Sequence, residues 1–263
     1  MNPLGDLRAS ARSGAFVGLT FSLLACLEAD LRASPASRHV PITYKWMARY
    51  GHSLLRLYGL SVTARGPHLE EGEIYPARDP RGQGRIFVMN HRSMLDIFVD
   101  LAFIEANTVS RADLATWPVI GLAARRVGTL FVDRSDKRSG AAVISAMIAG
   151  LEMGRGVMVY PEGTTFIGDD VRPFRAGAFL AAMRTGAEIV PVGIAYGGAE
   201  SSYVEESFPA HYRRVAGSPG TRIGLVAGEP FRAEGDDVQA IQQRAQAEVQ
   251  ALVHRARAAI VEL

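Results

Sequence analysis

The chain has 263 residues, and 48% of them are hydrophobic, which is ample for a sizeable core and excludes a disordered chain. A formal charge of only +2 gives no argument for nucleic-acid binding. A single cysteine, Cys26, excludes an internal disulfide framework and suits a reducing compartment, and no Cys/His cluster stands at metal-ligand spacing, so no metal is expected.

Two helices are expected first. Residues 14–27 form an apolar run that ends at Glu28, Asp30 and Arg32. It falls short of the roughly 18–20 apolar residues that a spanning helix needs. A signal peptide is a rival reading, because Arg8 and Arg12 precede the run, but no small-x-small cleavage site follows. A buried core helix is the third. After a break at Ser34-Pro35, Ile42, Trp46, Tyr50, Leu54, Leu57 and Tyr58 recur at helical spacing, interleaved with Lys45, Arg49, His52 and Arg56. That is a basic amphipathic helix of the kind that lies in a membrane interface, its rival being a surface helix packed on the domain. Residues 1–58 are therefore read as an N-terminal membrane-attaching helical hairpin, and 59–263 as the main domain. Monotopic or peripheral attachment to a membrane lipid surface is expected rather than a span.

Alternation then predicts a strand at 60–65, and a Gly/Pro-rich polar stretch at 66–84 predicts a long loop. An apolar strand at 85–89 leads into Asn90-His91-Arg92-Ser93-Met94-Leu95-Asp96, which opens a helix expected to reach Ala106. Residues 111–126 suggest a short helix under a loop, 127–134 a strand ending in Arg134, and 137–153 a helix. A strand at 157–160 precedes the turn Pro161-Glu162-Gly163-Thr164, and a short helix spans 177–184. Residues 189–194 are a β-branched run broken by Pro191, 222–226 a further strand, and 236–260 a helix with Asp236 and Asp237 at its start. Alternating strands and helices imply an α/β layered domain, with a mixed, largely parallel sheet flanked by helices. Its strand-end motifs would converge on one rim.

His91 and Asp96 stand where a buried strand emerges, a place where α/β proteins carry chemistry. Neutral imidazole accepts a proton near pH 7, and a carboxylate fixes its tautomer. The chain has no Gly-x-Ser-x-Gly elbow and no other evident nucleophile, so the hydroxyl to be activated belongs to a substrate. The bland alternative is a capping box, Ser93-x-x-Asp96, beside a strand-end histidine.

Four blocks in order carry a family resemblance: Asn90-His91 with Asp96; Gly128, Phe131 and Arg134; Pro161-Glu162-Gly163-Thr164; and Val190-Pro191-Val192. Over about 60–228 the chain resembles the lysophospholipid and glycerolipid acyltransferases typified by 1-acylglycerol-3-phosphate acyltransferase. The resemblance implies transfer of a fatty acyl group from acyl-CoA or acyl carrier protein, a substrate rather than a bound cofactor, to a lysolipid hydroxyl. The first acceptor implied is 1-acylglycerol-3-phosphate, giving phosphatidic acid at the cytoplasmic face of a membrane. It makes His91 the general base and Asp96 its orienting partner, and Arg134 a phosphate ligand, with Arg175 a second cation. Glu162 would bond an acceptor hydroxyl or a basic partner, and backbone N–H groups near Gly163 and Thr164 would face the oxyanion. Many relatives have arginine directly after Pro-Glu-Gly-Thr, whereas this chain has Thr165, which keeps lyso-ornithine lipid open as acceptor. A thioesterase and a non-catalytic membrane-binding protein are the remaining alternatives.

Overall fold

A computed structural model describes residues 3–133, 135–198, 201–235 and 237–261. Strand β2 (Ile86–Met89) is fully buried, and its alternation divides the core. Phe87 and Met89 point into one apolar cluster, and Ile86 and Val88 into the other. Such two-faced burial requires helices on both sides of the sheet. The first cluster lies under α1 (Pro3–Arg32), α2 (His39–Tyr58), α3 (Asp96–Phe103) and α7 (Phe208–Gly217). The second lies under α5 (Lys137–Glu152), α6 (Gly177–Thr185) and α8 (Val238–Val261). A short helix, α4 (Ile120–Arg126), follows a 3-10 turn at Ala112–Thr116.

The remaining strands are β1 (Leu60–Arg65), β3 (Asn107–Arg111), β4 (Leu130–Val132), β5 (Val157–Val159), β6 (Glu188–Tyr196), β7 (Thr221–Ala227) and β8 (Phe231–Arg232). Their order is β1-β7-β6-β2-β5-β3-β4, with β8 beside β6. All neighbouring pairs are parallel except β6 with β7 and β6 with β8. The mixed, largely parallel sheet between helices is thus present.

Several elements differ from the sequence reading for identifiable reasons. The strand containing Pro191 is not broken. On its antiparallel side β6 pairs with β8 through Glu188 and Ile189, and with β7 from Val192 onward, so Pro191 sits where the partner changes and no ladder N–H is needed. The helix after Asp96 stops at Phe103, and 107–111 is a strand, its apolar alternation masked by Asn107 and Thr108. Helix α7 was not legible, its amphipathic pattern being cut by Pro209 at its first turn.

The N-terminal pair does form a helical hairpin. Asp30 of α1 accepts from both Lys45 Nζ (2.6 Å) and Trp46 Nε1 (2.8 Å) of α2. Helix α1 is much longer than its apolar run. At about 1.5 Å per residue, its 30 residues extend about 45 Å, and it is long and apolar enough to cross a membrane by length and composition. Its inner face is nevertheless tied to the domain. Arg12 donates to the carbonyls of Leu57 (2.8 Å), Ala216 (3.0 Å) and Ser218 (2.5 Å). Helix α2 buries Tyr44, Met47, Ala48, Gly51, Leu54, Leu55 and Tyr58, so Leu54 and Tyr58 of the expected stripe are in the core, while Trp46 and Tyr50 line the cavity described below.

Gly51 lets α2 approach α3, since a Cβ there would overlap the backbone of Ala102. Glycine is otherwise costly inside a helix. Gly51→Ala is therefore expected to destabilise the fold by about 1–3 kcal/mol through overpacking, despite the better helix former. Urea unfolding measures this, and an unchanged or higher midpoint would refute the close contact.

Candidate active site

Strand β2 ends at Met89, and Asn90 continues its pairing with side-chain atoms. Asn90 Nδ2 donates to Ile194 O, and Oδ1 accepts from Ile194 N, both at 2.9 Å. The next residues are thereby held at the rim of the sheet. His91 Nδ1 lies 2.7 Å from Asp96 Oδ2. That oxygen also accepts the N–H groups of Arg92 (2.7 Å) and Ser93 (3.0 Å), while Oδ1 accepts the Tyr196 hydroxyl at 2.5 Å. With Asp96 accepting all of its hydrogen bonds, Nδ1–H of His91 donates to it, which leaves the ring's lone pair on Nε2. No described residue bonds Nε2. The capping reading is half present too. Asp96 reaches back to Ser93 N–H, but the Asp96 N–H goes to the Ser93 carbonyl rather than its hydroxyl.

The Pro-Glu-Gly-Thr turn sits behind this pair. Glu162 is buried, and both of its oxygens are engaged by protein: Oε2 accepts His91 N (2.7 Å) and Arg92 Nη1 (2.8 Å), and Oε1 accepts Arg92 Nη2 (3.1 Å) and Arg172 N (2.8 Å). Of the two partners expected for Glu162, a substrate hydroxyl and a basic residue, the structure displays the basic one. Arg92 further donates to the carbonyls of Gly168 (2.5 Å) and Asp170 (2.8 Å). Gly163 has φ +82, and a Cβ there would lie 2.5 Å from Arg175 Nε. Its N–H closes the turn onto Tyr160 O (3.0 Å) and so is not directed at a substrate. The N–H groups of Thr164 and Thr165, which line the cavity described next, have no hydrogen-bond partner among the described residues. Arg175 is exposed and forms no ion pair among the described residues. Arg134 lies outside the described residues.

His91 opens onto a cavity of about 400 Å³ running between α1, α2 and α4. Its walls are chiefly apolar, with Phe16, Leu24, Trp46, Ile120 and Trp117 among them. Phe131, of the second motif block, faces it as well.

Sequence reasoning missed a second buried carboxylate. The Tyr160 ring stacks on His91 with centroids 4.2 Å apart, and its hydroxyl donates to Asp100, one helical turn after Asp96. Asp100 Oδ1 has no partner among the described residues. Burial, reinforced by Asp96, pushes the Asp100 carboxyl well above the usual carboxylate range. Burial likewise raises the phenols of Tyr160, beside Asp100, and Tyr196, beside Asp96. The two acids are thus differentiated by their donors, four for Asp96 and one for Asp100. The spacing from Asp96 to Asp100 was readable in the sequence, but burial was not.

Because the native state holds the Asp100 proton above the pH at which the unfolded chain releases it, stability falls as pH rises through the ordinary carboxylate range towards the raised native value. Asp100→Asn removes that slope. By urea unfolding, the variant's stability relative to wild type should rise by about 1–3 kcal/mol between pH 5 and pH 7. A difference that stays constant over this interval would mean that native Asp100 is ionised.

Comparisons with known proteins concern the family and the fold of the chain. A family model described as Acyltransferase matches residues 72–195. A 1-acyl-sn-glycerol-3-phosphate acyltransferase of Neisseria gonorrhoeae is 27% identical over 177 residues, covering 65% of this chain and 69% of that protein. A lyso-ornithine lipid O-acyltransferase of Pseudomonas aeruginosa is 27% identical over 170 residues, covering 62% and 66%. The crystal structure of the 1-acyl-sn-glycerophosphate acyltransferase PlsC from Thermotoga maritima superposes with a TM-score of 0.72 at 19% identity, covering 98% of this chain and 96% of that one. This last likeness concerns the fold.

Proposed function

The chain belongs to the acyltransferase family, and on that premise we propose that it moves a fatty acyl group from a thioester, acyl-CoA or acyl carrier protein, to the free hydroxyl of 1-acylglycerol-3-phosphate, giving phosphatidic acid. The observation that carries this reading is the His91–Asp96 pair, 2.7 Å apart, at the wall of a largely apolar cavity. Nε2 of His91 takes the proton of the acceptor hydroxyl as its oxygen attacks the thioester carbonyl. Asp96 stabilises the imidazolium without being protonated. The oxyanion meets the unpaired N–H groups of Thr164 and Thr165, and such a donor is worth about 3 kcal/mol. Collapse of the intermediate breaks the C–S bond, and the imidazolium returns its proton to the leaving thiolate. The thioester is already activated, so no acyl-enzyme is needed. Arg134, following β4, is assigned to the acceptor's phosphate, with Arg175 in support, because a guanidinium forks onto phosphate oxygens.

One observation favours a second acceptor. Thr165 lines the cavity beside His91, at the place where many relatives have arginine. Lyso-ornithine lipid, which has no phosphate, fits a wall without that cation, and the Pseudomonas aeruginosa relative bears that acceptor's name.

The test is mass spectrometry of products from a panel of lysolipids with both donor types. Acyl transfer to 1-acylglycerol-3-phosphate supports the first reading. Transfer to lyso-ornithine lipid alone moves the acceptor, and thiol release without any acceptor indicates a thioesterase. His91→Ala is expected to lower kcat by about 10²–10⁴-fold, and adding Asp96→Ala should cost little more, since the two act as a unit. Near-normal turnover in His91→Ala would rule out the mechanism.

A membrane surface is part of the same proposal. Leu4, Leu7, Val17 and Phe21 of α1 are exposed apolar side chains on the helix that also walls the cavity. Replacing Val17 and Phe21 by glutamate is expected to reduce co-sedimentation with phospholipid vesicles while leaving the melting temperature near that of wild type, because neither side chain is packed in the core. Unchanged sedimentation of the double variant would place the contact elsewhere.

A further inference from the structure

Beside the turn from His91 to Asp96, and lining the same cavity, is a second histidine that no step above uses. His211, on α7, is buried among Ser93, Met94, Tyr203, Glu206 and Arg214. Its Nε2 is 3.3 Å from Met94 N and 3.2 Å from Ser93 Oγ. Its Nδ1 is 3.0 Å from Glu206 Oε1, a carboxylate also held by Arg214 Nη2 at 2.6 Å. A backbone N–H only donates, so Met94 requires a lone pair on Nε2, and in the neutral ring the proton then sits on Nδ1, facing Glu206. Arg214 Nη2 also lies 3.1 Å from Nδ1, but its two protons are directed to Glu206 Oε1 (2.6 Å) and Ser202 O (2.7 Å), so it does not require a lone pair there.

We propose that His211 is a positioning residue for acyl transfer: as a neutral acceptor at Nε2 it holds the turn between His91 and Asp96, and so sets the orientation of the catalytic imidazole. The turn is short, and three of its groups face inward. Ser93 N and Arg92 N go to Asp96, and Met94 N goes to His211. Without His211, Met94 N–H is left without an acceptor and Ser93 Oγ loses a partner, so the Ser93–Met94 end of the turn loosens while Arg92 N and Ser93 N stay on Asp96. The segment before α7 grips the same turn from one residue further back, through Tyr203 N–H to Arg92 O at 2.7 Å.

This contact is sensitive to acid. The charged groups facing the ring are Glu206 and Arg214 on one side and Asp96 on the other. Burial, the largest influence, lowers the basicity of His211, and Arg214 adds to it, while Glu206 and Asp96 oppose. A proton added at Nε2 would point at Met94 N–H, donor against donor. Protonation therefore releases the turn, below the pH at which an ordinary histidine charges.

The inference takes acyl transfer as the reaction, so its first measurement is independent of turnover. In ¹⁵N-histidine NMR of the full chain, followed over pH, the neutral forms of His91 and His211 should each show a single Nδ1–H tautomer. In His211→Leu the His91 signal should become a mixture of tautomers. His211→Gln, whose amide oxygen supplies an acceptor and cannot be protonated, should restore the single form. In the kinetic arm, His211→Leu is expected to lower kcat by about tenfold to a hundredfold, a larger change than in either KM, because it displaces the base while removing only one of the many residues that line the cavity. His211→Gln should return kcat close to wild type. Its acid limb of log kcat against pH should be shallower than the wild-type limb by one proton. An unaltered His91 signal in His211→Leu, or an acid limb of unchanged order in His211→Gln, overturns the proposal. If His211→Leu does not fold, the Gln variant decides through its acid limb. If the wild type transfers no acyl group, the proposed function fails, while the His91 spectrum still judges the role of His211.

Discussion

The buried ion pair between Arg92 and Glu162 is the constraint on which the site depends. Two charges removed from water are tolerated only with good geometry and with every remaining lone pair and proton satisfied. Here Glu162 accepts four hydrogen bonds, and Arg92 donates to three carbonyls besides. Those partners come from two distant parts of the chain, the turn after β2 and the loop after β5. The pair therefore sutures the loop carrying Gly163 to Thr165 onto the backbone of His91. Thr164 and Thr165 are fixed relative to His91 by this charged contact together with the bond from Phe166 N–H to His91 O at 3.1 Å. Breaking such a pair from one side typically costs about 3–5 kcal/mol, because the other charge is stranded. A carboxylate in this turn is thus required by the architecture before any substrate arrives.

The same logic separates Asp96 from Asp100. Both are buried on one face of α3, a single turn apart. Asp96 is surrounded by donors, whereas Asp100 has one phenol and a hydrophobic setting. Environment, not residue type, gives one acid the role of orienting an imidazole and leaves the other to hold Tyr160, whose ring packs flat against that imidazole. His91 is consequently restrained on three sides: by Asp96 at Nδ1, by Tyr160 on its face, and by Glu162 at its backbone N–H. The freedom left to it is along Nε2, towards the cavity.

What the sequence disclosed and what it withheld follow from range. Motifs local in the chain were legible: the strand into Asn90, the His91 and Asp96 spacing, the turn at Gly163, and the alternation that implies a layered α/β sheet. Contacts that depend on strands meeting across the sheet were not. Tyr196 lies a hundred residues from Asp96 in sequence, and His211 has an unremarkable neighbourhood on a helix that a proline obscures. Glu162 illustrates the middle case. Its motif marked it as functional, but only the pairing of β2 with β5 reveals that its partner is Arg92 rather than a ligand. The proline in β6 is the reverse, a residue whose local rule predicts a break and whose place between two partner strands removes the need for its missing donor.

Helix α7 gives the N-terminal hairpin a physical connection to the chemistry. On one side α7 carries His211 against the catalytic turn. On the other, its last carbonyls are capped by Arg12 of α1, its Tyr212 hydroxyl reaches Ser13 (3.0 Å), and Gly217 O accepts from Arg8 (2.8 Å). A buried arginine that satisfies helix-terminal carbonyls cannot be withdrawn without leaving them unpaired, so α1 and α7 move together. Any force that a lipid surface exerts on the exposed face of α1 is therefore transmitted to the element that holds the turn of His91. The hairpin also walls the cavity into which His91 opens. A segment that reads in sequence as a membrane-attaching hairpin is, by its packing, one wall of the cavity into which His91 opens and one support of the helix that holds the His91 turn.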